Sequence, residues 1–405
     1  MSKTTKAFLL IFSLVLVLFT VAGGLGVKAS SNDGAYRQLG VYSEVLSRIR
    51  SDYVEEPNLP HVTDGALHGL LESLDANSSY LTPTEYKQYK QLKSEGKANI
   101  GAAISKRFGY GAVIAVIPGG PADKAGIENS DIFEAIEGKS TRDMSLAEIN
   151  GLLSGQPGSV VNVSVVRPRK AQPQKVAITR DIVKDPPLNS KMMEDGIGYI
   201  RVDGFNKGRA QEISARVKDL QKQGAKKLVL DLRDSGFGEM DEGIATANLF
   251  LNHGTIAYVQ GQKYPKETFT AAAGKEITNE PLVVLVNRST AGPAELVAAA
   301  ILDNARGDVV GDKTFGVGSI QKLIEMPDGS ALILSVAKYY SPSGKAIQDT
   351  AITPNILVAD ASDDFVAPDD ETDGAAPEAP KKKENQVDEQ LRRAIEVLKN
   401  RDQKA

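Results

Sequence analysis

The chain of 405 residues has no cysteine, no tryptophan and only three histidines, His61, His68 and His253. Without cysteine there is no disulfide, no thiolate nucleophile and no thiolate metal site. The histidines stand far apart and in no metal-ligand spacing, which also argues against a histidine general base. Neither sign of charge dominates: the net charge is −4, which gives no reason to expect nucleic acid as a partner. No internal repeat is evident. Long apolar runs are scarce too, and the one that stands out lies at the amino terminus.

What is present is ordinary for a globular protein: 41% hydrophobic and 25% charged residues, in a chain long enough for two or more cored domains. Lys3 and Lys6 precede the apolar run from Ala7 to Val27. Basic residues ahead of an apolar core mark an export signal, and "VKAS" offers a small-residue cleavage site after Ala29. The run is also long enough to span a bilayer. A cleaved signal and a retained anchor both fit. Either places Ser31 onward outside the cytoplasm, periplasmic or otherwise extracytoplasmic, with membrane contact through this segment alone.

Residues 1–30 are therefore set apart as signal or anchor. Residues 31–96 read as a helical region, because Leu39, Tyr42, Val45, Leu46 and Ile49 recur at helical spacing and "DGALHGLLESL" follows. Residues 97–184 change to short β-rich runs with glycine turns and one embedded helix, "SLAEINGLLS", and "DPPLN" then signals a linker. Over 185–358, apolar strands such as "KKLVLDLR" and "PLVVLV" alternate with helices such as "AELVAAAILDNA", which predicts a two-sided parallel α/β sheet. Residues 359–384 are rich in Asp, Ala and Pro and read as a disordered linker ending in a solubilising Lys run at 381–383. Residues 385–405 form an amphipathic helix with Leu391, Ile395 and Leu398 on one face, suited to self-association, docking or folding back on the body. The expected fold is multidomain α/β.

Open α/β sheets place ligand sites at the carboxyl ends of their strands. Three such ends stand out: "DLRDSGFGEM" (231–240), "NRSTAGPAE" (287–295) and "GDKTFGVGSIQ" (311–321). In this order they resemble the carboxyl-terminal processing peptidases, or tail-specific proteases, which use a Ser-Lys dyad. The likeness extends to "LESLDANSSYLTP" (71–83), to "GGPADKAGI" and "DIFEAIEGK" (119–139), to "GIGYIRVDGF" (196–205) and to "YYSPSGKAIQDTAITPNI" (339–356). It implies an N-terminal helical region, a PDZ β-domain, a peptidase-like core with helices on both faces of its sheet, and a C-terminal helix.

The same resemblance empties the active site. The nucleophile position falls on Gly292 in "STAGPAE", with Pro293 beside it and Glu295 matching the family's Glu. The lysine position falls on Val317 in "TFGVGSIQ", and Gln321 matches the Gln that helps to position that lysine. The oxyanion-forming "Asn-Pro-Gly-Gly" of the family reads Ser235-Gly236-Phe237-Gly238 here, and the Cβ of Phe237 is expected to limit the backbone. A Ser-Lys pair needs a hydroxyl to attack and a neutral amine to take its proton. Gly292 and Val317 supply neither. Read without the family, Gly292, Pro293 and Glu295 are also a well-formed helix start. A relocated dyad would have to draw on Ser289 or Thr290 and on Lys313, which otherwise read as turn residues and a solvated loop charge.

The expectation is a catalytically silent member that keeps its peptide-binding surfaces. Its rivals are a serine endopeptidase with a relocated dyad and a structural envelope protein. A PDZ domain takes a carboxyl-terminal peptide as an added strand. The resemblance places the carboxylate at Ile100, Gly101 and Ala102, with Leu146, Ile149 and Leu153 lining the groove or packing the core. Phe315 and Tyr339 could line a substrate tunnel or pack the core, and Ser130 stands where the family has Gly. Partners would be protein tails, an active paralogue or a second copy of the chain. The acidic residues Asp231, Asp234, Glu239, Asp241 and Glu242 read as structural or solvated rather than as a metal site. No metal or cofactor is expected.

Overall fold

The computed structural model describes residues 33–95, 98–167, 172–359 and 388–402. The expected signal or anchor lies outside the described residues, and so does the expected acidic linker beyond its first residue, Ala359. By its internal contacts the chain divides into a unit ending at Leu67 and one beginning at His68. The first holds α1 (Asp33–Asp52) and most of α2 (Leu59–Glu72). In α1 the side chains of Leu39, Tyr42 and Val45 are exposed.

The second unit opens with β1 (Ser79–Leu81) and α3 (Pro83–Glu95). Asp75 Oδ1 accepts the N–H groups of Asn77 and Ser78, each at 2.8 Å, and the hydroxyl of Ser335. This turn thereby fixes where β1 joins the core.

The β-rich domain contains β2 (Ala102–Arg107), β3 (Tyr110–Val116), the short α4 (Pro121–Lys124), β4 (Ile132–Ile136), β5 (Lys139–Ser140), α5 (Leu146–Leu153), β6 (Val160–Val166) and β7 (Gln174–Thr179). Its sheet runs β2-β3-β4-β6-β7, with β5 on β4, so β2 is an edge. β6 alternates strictly between out and in, as a half-covered strand must. Its inward Val161, Val163 and Val165 pack with Phe133, Ile136, Ile149 and Ile178. A reciprocal cap, Glu148 N–H to Ser145 Oγ and Ser145 N–H to Glu148 Oε2, starts α5.

The core follows with β8 (Asn189–Met192), β9 (Ile197–Arg201), α6 (Arg209–Lys222), β10 (Lys227–Asp231), α7 (Met240–Asn248), β11 (Thr255–Gln260), β12 (Glu267–Thr270), β13 (Leu282–Val286), α8 (Pro293–Asp303), β14 (Asp308–Gly311), β15 (Ser319–Glu325), β16 (Ala331–Tyr340), β17 (Ile356–Leu357) and α9 (Glu389–Asp402). One sheet has the order β17-β14-β13-β10-β9-β8 and is parallel except for β8. Alternate residues of its apolar strands serve opposite faces. Ile200, Leu230 and Val284 meet Ile213, Val217 and Val297 of α6 and α8. Tyr199, Val229, Val283 and Leu285 meet Ala394 and Leu398 of α9. The C-terminal helix thus folds back as the second cover that continuous apolar strands require.

The core has a second sheet beside the parallel one, and it contains "ALILSVAKYY". That segment forms β16 of a separate antiparallel sheet with β1, β11, β12 and β15. That sheet covers the remaining side of α8, through Leu296, Ala299 and Ala300 against Ile256, Val259 and Tyr339. Every residue of α8 from Pro293 to Ile301 is buried, which explains why all of them except Glu295 are small or apolar.

Candidate active site

β13 ends at Val286, and the chain turns sharply into α8. Thr290 fastens the turn: its hydroxyl donates to the carbonyl of Leu232 at 2.8 Å and accepts from the N–H of Asn287 at 3.0 Å. Ala291 N–H donates to the carbonyl of Ser235 at 2.8 Å. Asn287 Oδ1 in turn accepts from Asp234 N–H and Ser289 N–H. The turn after β13 is therefore sewn to the loop after β10.

Gly292 follows with φ +60° and ψ −119°, a conformation that L side chains rarely adopt. A Cβ placed there would meet nothing within 4 Å. The turn is a sharp strand-to-helix junction whose backbone glycine adopts without strain. Space for a side chain is present, and the side chain is not.

Glu295 holds this turn to the "FGVG" loop. It is fully buried. Oε2 receives Gly292 N–H at 2.9 Å and Val317 N–H at 2.8 Å. Oε1 receives Gly316 N–H at 2.8 Å and the hydroxyl of Thr314. Burial pushes the carboxyl up to about 7, against the pull of these donors toward the ionised form. The sequence marked Glu295 as a match to the family and a first-turn acid, and did not show it as a hub. Its donors are scattered over 292–317, and no spacing rule joins them.

In the loop after β10, Gly238 is required: at φ +112° a Cβ would lie 2.3 Å from the backbone of Phe205. Phe205 N–H donates to the carbonyl of Phe237 at 2.9 Å. Phe237 itself is not among the left-handed residues, so its backbone keeps to angles that a Cβ allows. What Phe237 changes is the surface. With Phe315 and Val317 it packs on a small apolar cluster made by Ile114 and Ala115 of β3 and Ala291 of the turn. Gly236 touches the same strand, since a Cβ there would lie 2.9 Å from the Cβ of Ala115. Asn129 Nδ2 donates to Asp234 Oδ1 at 2.8 Å and makes a polar link between the β-rich domain and the core. Neither Asn129 nor Asn287 was singled out by sequence. Asp234, at φ +62°, accepts from both.

The other expected site residues fall as follows. Ser289 is buried and Lys313 exposed in the loop after β14, and no hydrogen bond joins them among the described residues. Gln321 is exposed and donates to Ser319 Oγ at 2.7 Å. Tyr339 is buried in the core and Phe315 half-buried. Ile100 is buried and Gly101 has φ +71°, with its N–H given to Asn99 Oδ1 at 2.7 Å. Ile149 is fully buried in the β-rich domain's core, whereas Leu146 lines a cleft of about 550 Å³ with Ile104, Gln321 and Ile333. A neighbouring cleft of about 620 Å³ joins Ile100, Ala102 and Leu153 to Gly236, Phe237 and Val317. Pro293, the first residue of α8, is buried. Glu242 accepts the N–H groups of Gly208 and Ala210 and so caps α6.

Comparisons with known proteins agree with this layout. Residues 196–358 match the model of peptidase family S41, and residues 113–167 match that of a PDZ domain. A carboxyl-terminal-processing protease of a Picosynechococcus species is 36% identical over 314 residues, which are 76% of this chain and 75% of that protein. A carboxy-terminal processing protease of Bacillus subtilis is 31% identical, over 87% of this chain and 77% of that one. Among solved structures, the photosystem II D1 C-terminal processing protease superposes with a TM-score of 0.64 at 26% identity, covering 78% of this chain and 92% of that one.

Proposed function

The chain belongs to peptidase family S41, with the carboxyl-terminal processing proteases, and from that premise we propose that it is a catalytically silent member that binds protein tails. The observation that carries the reading is the pairing of Gly292 and Val317 on Glu295. The two backbone positions that the family resemblance assigns to nucleophile and base are held side by side by one carboxylate oxygen. One has no side chain and the other a hydrocarbon. Losing both members of such a unit removes on the order of a millionfold in kcat.

A relocated dyad finds little support. Thr290 commits its hydroxyl to the turn, and Ser289 and Lys313 differ in burial and share no bond among the described residues. Tail binding is favoured by the edge of β2, which has no neighbouring strand on its outer side among the described residues, and by the Ile100-Gly101-Ala102 loop at its start. Export is part of the proposal and rests on the segment Lys3 to Ala29, which lies outside the described residues.

The test restores the chemistry. Native chain and the double variant Gly292→Ser with Val317→Lys are each incubated with casein. Cleavage by the double variant alone supports a silent frame. Cleavage by the native chain refutes it. If neither cleaves, the Ser235–Gly238 loop becomes the next position to restore.

A further inference from the structure

The hairpin that joins β2 to β3 turns through two residues, Phe108 and Gly109, at the end of β2 opposite the Ile100-Gly101-Ala102 loop. Arg107 and Tyr110 face each other across the turn. Both turn residues have positive φ, +53° and +83°. Such a turn favours Asn-Gly or Asp-Gly, because short polar side chains tolerate the left-handed region. A bulky aromatic residue there is an outlier, held against its own backbone preference. The fold does not bury it in return: the Phe108 side chain is 71% exposed. The guanidinium of Arg107 stands over its ring, 5.3 Å from the centre. Arg142 stands in the same way over Tyr110, at 6.0 Å, and its Cγ lies 3.7 Å from where a Cβ on Gly109 would be. Both arginines are exposed and Tyr110 is half-buried. Lys106 is engaged with Glu72 at 2.7 Å. Asp143, next to Arg142 in the chain, lines a cleft of about 400 Å³ with Glu85 and Tyr89. The tip thus presents an aromatic wedge, a tyrosine and two guanidinium groups, on a chain whose net charge is −4.

We propose that this hairpin tip is a membrane-contact site: Phe108 enters the surface of a bilayer bearing anionic lipid, Arg107 and Arg142 receive lipid phosphates, and Tyr110 sits at headgroup level. An aromatic ring flanked by arginines matches that boundary, where an apolar layer and a negatively charged one lie next to each other. A protein partner fits less well. A two-residue turn offers one exposed ring, far short of the area that a specific protein interface buries, whereas a fluid lipid surface closes around a protrusion. Neither catalytic silence nor tail binding is needed for this contact. The tip lies at the far end of β2 from the Ile100-Gly101-Ala102 loop, so a bilayer held there leaves that loop accessible.

The chain contains no tryptophan, so Phe108→Trp supplies a single fluorophore at the tip. Residues 30–405, the form that cleavage after Ala29 leaves, keep every described residue and remove the apolar run that would itself partition into lipid. This form is mixed with vesicles of phosphatidylcholine, alone or with one-quarter phosphatidylglycerol. On the anionic vesicles the tryptophan's emission should shift to shorter wavelength and be quenched by lipid brominated in its acyl chains. In vesicle sedimentation Phe108→Asn should bind about tenfold more weakly. Its Tm should rise at the same time, because Asn suits the turn, so the two signs separate a lost contact from a lost fold. Arg107→Gln and Arg142→Gln should each weaken binding to anionic vesicles about fivefold, and the double variant should lose the preference for them. Emission unchanged by vesicles, or Phe108→Asn sedimenting as the native residue does, overturns the site. A Tm lowered by Phe108→Asn overturns the premise that the phenylalanine serves contact rather than folding. Full displacement by glycerol phosphate would mark a site for soluble phosphate and overturn the bilayer. Benzoylphenylalanine at position 108 that crosslinks in cells to protein, a second copy of the chain included, and not to lipid would overturn the lipid class.

Discussion

Gly292 and Val317 donate their backbone N–H groups to the same atom, Glu295 Oε2, at 2.9 and 2.8 Å. Two loops separated by the whole of α8 and β14 are registered by a single buried carboxylate. The backbones of the two loops are therefore held together by Glu295, independently of the side chains at Gly292 and Val317.

Replacing that carboxylate should be destabilising. Glu295→Gln puts an amide NH₂ where two N–H donors already point. Stability should fall by about 2–3 kcal/mol, read from the urea midpoint. A change within about 0.5 kcal/mol would mean that the four hydrogen bonds do not register the loops.

The elbow's strain should be measurable as well. At φ +60° and ψ −119°, Gly292→Ala forces alanine into a conformation that it rarely adopts, so a loss of about 1–3 kcal/mol is expected. The open space around the position means that no clash adds to it. An alanine that stabilises, as alanine does where a glycine's backbone is ordinary, would contradict the assigned conformation.

Stability should decline as pH rises through neutrality. Burial raises Glu295 to about 7, so the native state holds its proton more tightly than the unfolded chain. Its contribution is fully present below the ordinary carboxylate range and is lost as pH rises through about 7. His68 acts in the same direction. Its bond to Glu85, at 3.3 Å, raises the imidazole above 6.5, so its contribution is complete below 6.5 and disappears above the raised value. Glu85 is held below the ordinary range by the same pair, against its own burial, and its share is lost only in acid. Tm recorded between about pH 5.5 and 8 should fall, and His68→Gln and Glu295→Gln should each flatten the slope. Unchanged slopes in both variants would refute this account.

The C-terminal helix should be integral to the core. Leu398 is fully buried against the parallel sheet, and Arg233 pairs with Asp388 at 2.8 Å as the helix begins. Leu398→Ala should cost about 2–5 kcal/mol. A smaller effect than about 1 kcal/mol in a denaturant titration would mean that the helix docks only loosely.

The sequence reading succeeded where local pattern and tertiary role coincide. "KLVLD" and "LVVLV" are apolar with little break because both their faces are covered, and they form the central parallel strands β10 and β13. "AELVAAAILD" is largely apolar all round because two sheets enclose it. Other features had no local signature. "TIAYVQ" and "ETFT" carry half-exposed strand patterns too short to stand out, so the antiparallel sheet was not anticipated. The face of α9 was legible, yet Leu391, Ile395 and Leu398 could not reveal whether they meet this chain or another. Ile149 and Leu146 share one helix, and only the packed structure separates the core residue from the one lining a cleft. The hub at Glu295 and the Asn129–Asp234 link are made by residues distant in sequence and brought together by folding.

The central claim, a peptidase frame without peptidase chemistry, is tested most directly by casein turnover on the purified native chain. The account predicts a rate indistinguishable from that of casein alone. Cleavage that is abolished by Ser289→Ala or by Lys313→Ala would contradict it.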